Sequence, residues 1–295
     1  MRTNAFANAR SFRRPLAAVA AATIAAIALT ACSSGGSGQS GQSGSAAAEG
    51  SDGASLATTG DTALADLQKD GVLKIASEGT YAPFTYHDDA TGKLTGYDVD
   101  VITAVAEKLG VKPDFTELKW DGIFAGLEAK RYDVIANEVS YNEERAAKYD
   151  LTDAYSVSKP AVLVKADNNS IKTLADVKGK TSTQSPSSNW FKLAQDSGTT
   201  VLPSAGFTEE VAAVKDGRVD VVFNDDLAIA DYLKSTGDKS VKVAFTLDDQ
   251  ALNQVFVLRK DSGLVPAVNK ALADLKADGT LAKLGEKYFG RDISK

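Results

Sequence analysis

A gapless internal repeat constrains this chain more than any other feature. Residues 127–138 (Leu-Glu-Ala-Lys-Arg-Tyr-Asp-Val-Ile-Ala-Asn-Glu) align with residues 214–225 (Val-Lys-Asp-Gly-Arg-Val-Asp-Val-Val-Phe-Asn-Asp), 87 positions further on. Arg131 matches Arg218, Asp133 matches Asp220, Asn137 matches Asn224, and an acid, Glu138 or Asp225, closes each copy. Each copy reads as the end of a helix, a tight turn, a buried strand and a polar tip. Two such copies predict two similar α/β lobes, each offering a strand tip where open α/β sheets place their ligands. Strand and helix patterns alternate through most of the chain, which fits the α/β class.

The first copy runs on into Val139-Ser140-Tyr141-Asn142-Glu143-Glu144-Arg145. Asn142 suits a helix N-cap, and Glu143 and Glu144 then lie in the first turn, where carboxylates complement the helix dipole. A guanidinium fork beside the Ser140 hydroxyl and free amides makes a good carboxylate receptor. Taken alone, the segment reads equally well as a surface loop whose Arg145 pairs with Glu143. The second copy favours the receptor. A ligand between the two tips meets Arg145 from one lobe and Asp225 from the other, the two charges that a free amino acid needs.

The elements follow in order. Val72 to Ala76 is a first strand, His87 to Gly96 a hairpin, and Tyr97 to Leu109 an amphipathic helix stopped by Gly110. Phe115 lies in a second strand, and Trp120 opens a helix that runs through Leu127. Lys159 to Lys165 is expected as the strand crossing into the second lobe, and Val255 to Leu258 as the return. The Ser-rich loop Gln184–Ser188 opens a helix at Asn189, a place that offers hydroxyls and amides to an anion; ordinary N-capping by Ser188 or Asn189 is the plainer reading. Helices over 208–216, 227–233, 264–275 and 281–288 complete the pattern.

The amino terminus reads differently. Arg2, Arg10, Arg13 and Arg14 precede an uncharged Ala-rich core from Leu16 to Ala31, the form of a signal peptide. Residues 33–60 are Ser, Gly, Gln and Ala with almost nothing larger and apolar, a composition that stays a flexible coil. Those 28 residues reach roughly 30 Å. The chain has one cysteine, so no internal disulfide is possible. Without the four signal-peptide arginines, 29 basic residues face 39 acidic ones, net −10. That balance argues against a nucleic-acid partner.

Several short motifs together resemble the polar amino acid-binding proteins of ABC importers, solute-binding family 3. They are Gly79-Thr80-Tyr81-Ala82-Pro83-Phe84, Gly96-Tyr97-Asp98-Val99-Asp100, Trp120-Asp121-Gly122-Ile123, Ser140 to Arg145, and Lys287-Tyr288-Phe289-Gly290. The resemblance spans nearly all of residues 65–295. Leu29-Thr30-Ala31-Cys32 likewise resembles a bacterial lipobox, which implies cleavage before Cys32 and lipidation of its thiol. The expected organisation is a lipoprotein signal peptide (1–31), a lipidated Cys32 and tether (32–62), one lobe from 63–160 with 255–295, and the other from 161–254. The fold implied is the two-lobe, type II periplasmic-binding-protein-like fold, with two hinge strands and a cleft between lobes.

The resemblance also implies roles. Arg145 would hold a ligand α-carboxylate, helped by Ser140 and by Ser187 and Ser188 across the cleft, and Asp225 would take the α-ammonium. Tyr81 and Trp120 would sandwich the side chain, although core packing is an alternative for Trp120. Glu78, Asn137, Glu138 and Gln184 would line the pocket and select the ligand. Glu138 stands where many members carry Gly or Ser, and it either faces the ligand or braces its loop. The 136–140 segment, the 184–189 loop and the carboxyl end look most like the cystine- and cysteine-binding branch. Counting charge, Glu78, Glu138 and Asp225 against Arg145 instead suits a lysine or arginine ligand, or cystine with Lys119 receiving its second carboxylate; a glutamine or glutamate binder is a further alternative. Competing classes are a periplasmic dehydratase on the same fold and a ligand sensor. The binder reading implies no catalysis, no cofactor, no metal, a monomer, and an ABC permease in the membrane as partner.

Overall fold

The computed structural model describes residues 59–295. The expected signal peptide, Cys32 and most of the tether lie outside the described residues. The described chain is a two-lobe α/β protein. The first sheet runs in the order Lys112–Glu117, Val72–Ser77, Val134–Ile135, Val257–Arg259, Tyr149–Leu151. The second runs Thr200–Pro203, Thr181–Gln184, Val221–Asp225, Pro160–Lys165, Val241–Thr246. In each, the first three strands are parallel, the fourth is antiparallel to the third, and the fifth is antiparallel to the fourth. The repeat copies therefore supply the same, third, strand of two topologically equivalent sheets.

The equivalence reaches individual bonds. Asp133 accepts the Lys74 N–H at 3.1 Å, and Asp220 accepts the Thr181 N–H at 2.8 Å. Each aspartate ties the start of its strand to the neighbouring strand, which accounts for their match in sequence. Both sheets carry apolar clusters on both faces. In the first lobe one cluster holds Ile75, Ile102, Val105, Leu258 and Leu272, and the other Ile123, Leu127, Ile135 and Val257. In the second lobe Leu163, Val214 and Val222 face one way, and Val162, Trp190 and Phe223 the other.

Helix Tyr97–Leu109 buries Val101, Ile102, Val105 and Leu109 and ends at Gly110, whose φ of 76° only glycine adopts cheaply. Asn142 caps helix Glu143–Lys148 by accepting the Arg145 N–H at 2.8 Å. The hairpin Thr85–His87 with Leu94–Thr95 and the terminal helices Val265–Ala277 and Thr280–Phe289 also match expectation.

Two expectations are corrected. Pro160–Lys165 is an inner strand of the second sheet, not the crossing; the crossing pair is Ser156–Ser158 with Leu252–Gln254, an antiparallel ribbon of its own. Val257–Arg259 is likewise already inside the first sheet. A helix absent from the sequence reading, Thr59–Asp70, begins inside the stretch assigned to the tether and seats Leu67 in the first-lobe core. Among the described residues no helix is long and apolar enough to cross a membrane.

Candidate functional site

The polar tips of the repeat strands converge on one cleft. Asn137 accepts the Glu78 N–H at 2.7 Å and donates to the Glu78 carboxylate at 2.7 Å, fixing that acid's position. Its counterpart Asn224 accepts the Tyr81 hydroxyl from the opposite lobe at 2.7 Å and the Asp225 N–H at 2.8 Å. Ser187 also bridges the lobes, donating its hydroxyl to Asp121 at 2.6 Å. The lobes are thus in contact across the cleft.

A cavity of about 480 Å³ lies between them. Six of the residues expected at the site line it: Glu78, Tyr81, Trp120, Asn137, Glu138 and Ser188. No lysine, arginine or histidine does, and Lys119, considered above for a second carboxylate, is exposed and not part of its wall. A neighbouring groove of about 830 Å³ shares Ser188 and Asn189 with it and contains Arg145 and Ser187. Ser140, Gln184 and Asp225 line neither.

Arg145 is 7% exposed. Its guanidinium lies 5.5 Å from the ring centres of both Trp120 and Phe124 and donates to the Ser140 carbonyl at 2.7 Å. Ser140 therefore acts on Arg145 through its backbone. Burial lowers the Arg145 pKa to about 10, so it stays charged at neutral pH. Its other N–H groups bond to no described residue, which leaves the fork open to an anion. Trp120 is 8% exposed, packs edge-on against Phe124 and also lines the cavity.

The serine loop follows the plainer reading. Ser188 caps helix Asn189–Asp196 by accepting the Phe191 N–H at 3.1 Å, and the Ser187 hydroxyl is taken by Asp121. Gln184 is wholly buried, 3.4 Å from the Ser182 hydroxyl. Asp225 is wholly buried too. It caps helix Asp226–Thr236 through the Leu227 N–H at 2.9 Å and accepts the Ser158 hydroxyl from the crossing ribbon. Ser158 in turn accepts from Gln254 at 2.8 Å, on the other crossing strand. The ammonium acceptor implied by the resemblance is thus wired into the hinge.

The cleft is acidic. Burial and the neighbouring Asp226 push Asp225 up to about 7. Burial raises Glu78 as well. Glu138 is 6% exposed, with neither carboxylate oxygen hydrogen-bonded; burial, then Asp225 and Asp98, raise its pKa well above the ordinary range. Its φ of 50° is a left-handed conformation that favours glycine, and its N–H is held by the Asp98 carboxylate.

Three acids escaped the sequence reading: Glu209 and Glu210 on the cavity wall, and Asp98 behind it. Glu210 lines the cavity and accepts from Ser204 at 2.9 Å, Ser185 at 3.2 Å and Asn224 at 3.4 Å; burial pushes it up to about 8. In sequence it looks like a first-turn acid beside Glu209. Asp98, wholly buried and pushed up to about 7 by that burial, lies in one of the resembling motifs with no role attached.

The profile of the bacterial extracellular solute-binding proteins, family 3, matches residues 73–291. The chain belongs to this family. Among curated relatives, the L-cystine-binding protein TcyA of Bacillus subtilis (strain 168) is 51% identical over 232 residues, covering 78% of this chain and 86% of that protein. Among solved structures of the same architecture, the L-cystine solute receptor of Neisseria gonorrhoeae, unliganded and open, is 42% identical with a TM-score of 0.54, covering 79% of this chain and 98% of that one. An ancestral arginine-binding protein bound to arginine is 36% identical with a TM-score of 0.69, covering 75% and 99%.

Proposed function

We propose that this protein is the substrate-binding component of an ABC importer and captures L-cystine between its lobes for delivery to a membrane permease. The observation that carries the reading is the 51% identity with a cystine-binding relative across the whole two-lobe body. The geometry supports it. A buried Arg145 with open N–H groups suits a carboxylate, while an acid-walled cavity beside it suits ammonium groups; cystine presents two of each. A ligand that touches both lobes adds to the favourable free energy of closure. The reading needs no catalysis: His87, the chain's one histidine, is absent from the cavity wall, half-exposed and paired with Glu117 at 2.7 Å on the surface.

A second reading, a lysine or arginine binder, is favoured by one observation: the cavity wall carries Glu78, Glu138, Glu209 and Glu210 and no cation. A thermal-shift screen of the mature chain against the amino acids and cystine separates the two. A ligand at about 100 times its Kd stabilises by ~2.7 kcal/mol, a shift of roughly 5–10 °C at this size. A shift with cystine supports the first reading; a shift with lysine or arginine and none with cystine replaces it. We further propose a monomer anchored to the membrane by lipid on Cys32. Cys32→Ala then moves the protein from the membrane fraction to the medium; retention in the membrane would refute the anchor.

A further inference from the structure

Behind the cavity, three buried side chains join the lobes through the crossing ribbon. Asp225 ends strand Val221–Asp225 of the second lobe, and one of its carboxylate oxygens caps helix Asp226–Thr236 through the Leu227 N–H at 2.9 Å. The other oxygen accepts the hydroxyl of Ser158, on the crossing strand Ser156–Ser158. A serine hydroxyl has one proton to give. With that proton committed to Asp225, Ser158 offers only lone pairs, and Gln254 on the other crossing strand donates its amide N–H to them at 2.8 Å. This orientation leaves the Gln254 Oε1 buried without a hydrogen-bond partner among the described residues, a cost set against the bond its N–H makes. The backbone of Gln254 bridges to Ser140 of the first lobe. On either side, the Tyr141 N–H donates to the Asn253 carbonyl at 2.8 Å and the Val255 N–H to the Val139 carbonyl at 2.9 Å. The Ser140 carbonyl in turn accepts from Arg145 at 2.7 Å. A continuous run therefore leads from Asp225 of one lobe, through the hinge, to Arg145 of the other. Asp225, Ser158 and Gln254 line neither the cavity nor the neighbouring groove, and none is more than 2% exposed.

We propose that Ser158 and Gln254 are positioning residues of the hinge: they set the angle at which the lobes meet, and so the ligand affinity, without touching the ligand. This rests on the amino-acid-binding reading above. The ribbon has three residues on each strand and a ladder of its own. Side chains fasten it to the strand tip of the second lobe, and backbone bonds fasten it to residues 139–141 of the first. Rotation of one lobe against the other about this ribbon has to stretch or break a bond in the run. Removing one link lowers that resistance. The ligand-free protein then samples a wider range of lobe orientations, and a smaller share of it is ready to hold a ligand. Ser156 supplies a matched control. It lies directly opposite Gln254 in the ladder, is 1% exposed, and its hydroxyl has no hydrogen-bond partner among the described residues. It shares residue type, strand and burial with Ser158 but stands outside the run.

The test compares Ser158→Ala, Gln254→Met and Ser156→Ala with wild type, all as the mature chain. Titration calorimetry with L-cystine, or with the amino acid that binds in the thermal screen, reads affinity. Small-angle scattering of the ligand-free protein reads the spread of the lobes. Ser158→Ala deletes a bond to a carboxylate and is expected to bind about tenfold or more weakly; Gln254→Met deletes a neutral bond and is expected to bind about two- to tenfold more weakly. Both are expected to enlarge the mean radius and to keep the wild-type order of preference among amino acids. Ser156→Ala is expected to match wild type in affinity and radius. Gln254→Met carries the test if Ser158→Ala does not fold. Folded variants with wild-type affinity and radius overturn the proposal, as does a Ser156→Ala variant as impaired as Ser158→Ala. A changed order of preference overturns it too, because it places these side chains against the ligand. Failure of wild type to bind any amino acid overturns the underlying reading, while the radii of the ligand-free variants still decide the hinge role.

Discussion

Tyr81→Phe isolates the closing bond of the cleft. The Tyr81 hydroxyl donates to Asn224 on the opposite lobe at 2.7 Å, while its ring packs 5.5 Å from Phe84 and 6.2 Å from Phe207. The substitution deletes one oxygen and leaves both ring contacts. Asn224 is not orphaned, since the same oxygen keeps the Asp225 N–H at 2.8 Å. The cost is therefore the net worth of one hydrogen bond, about 0.5–1.5 kcal/mol, and not a desolvation penalty. That bond exists only when the lobes meet, so its loss falls on the closed state and weakens ligand affinity by about two- to tenfold. Titration calorimetry reads the affinity, and small-angle scattering of the ligand-free protein reads a larger mean radius. An unchanged Kd would refute the claim that this bond stabilises closure. A loss beyond about a hundredfold would mean that the hydroxyl touches the ligand itself.

Other predictions follow from the same structure. Gly96→Ala places a Cβ 2.2 Å from the Phe84 carbonyl oxygen at a φ of 132°, where the obstacle is backbone and cannot swing away. Strain of about 1–3 kcal/mol and overpacking of about 1–3 kcal/mol lower the stability by roughly 2–6 kcal/mol in a urea melt; a loss under about 1 kcal/mol would contradict the geometry. Arg145→Lys replaces a planar fork seated between Trp120 and Phe124 with a point charge, and should weaken amino-acid binding by about tenfold or more while the fold persists. Wild-type affinity in this variant would remove Arg145 from the site. Asp98 and Asp225, raised from 3.8 to about 7, and Glu210, raised from 4.5 to about 8, bind more protons folded than unfolded. Their stabilisation is full below about pH 4 and lost as pH rises toward 8, so the ligand-free melting temperature should fall between pH 5 and 8. A melting temperature that rises across that range would reverse the sign and refute the buried-acid account.

Local physics that repeats along the chain is legible in the sequence. The two copies at 127–138 and 214–225 form equivalent strands because each needs the same aspartate to tie it to its neighbour. Asn142 is readable as a cap, and Gly110 as a stop, because both act within a few residues. The crossing ribbon is not, since Ser156–Ser158 is three residues long and shows no apolar period. Helix Thr59–Asp70 is hidden by the Ser/Gly-rich composition just before it. At the site, two acids of the cavity wall, Glu78 and Glu138, and two of its aromatics, Tyr81 and Trp120, are identifiable, while Glu209, Glu210, Trp190 and Phe207 are not, and the bonding of none of them is. The engagement of Asp225 with Ser158 spans 67 residues, and the bridge from Ser187 to Asp121 spans 66. Neither leaves a trace in local pattern. Glu210 is invisible for a related reason, as a first-turn acid looks the same whether it meets solvent or turns into a cleft.

The most direct test of the account is titration calorimetry of the mature protein with L-cystine, alongside lysine, arginine and glutamine. The account predicts saturable one-to-one binding of L-cystine, tighter than that of the other three. Binding of arginine or lysine with no heat from cystine would contradict the cystine assignment and leave the acidic cleft as a receptor for basic amino acids. No heat from any amino acid would contradict the account at its centre.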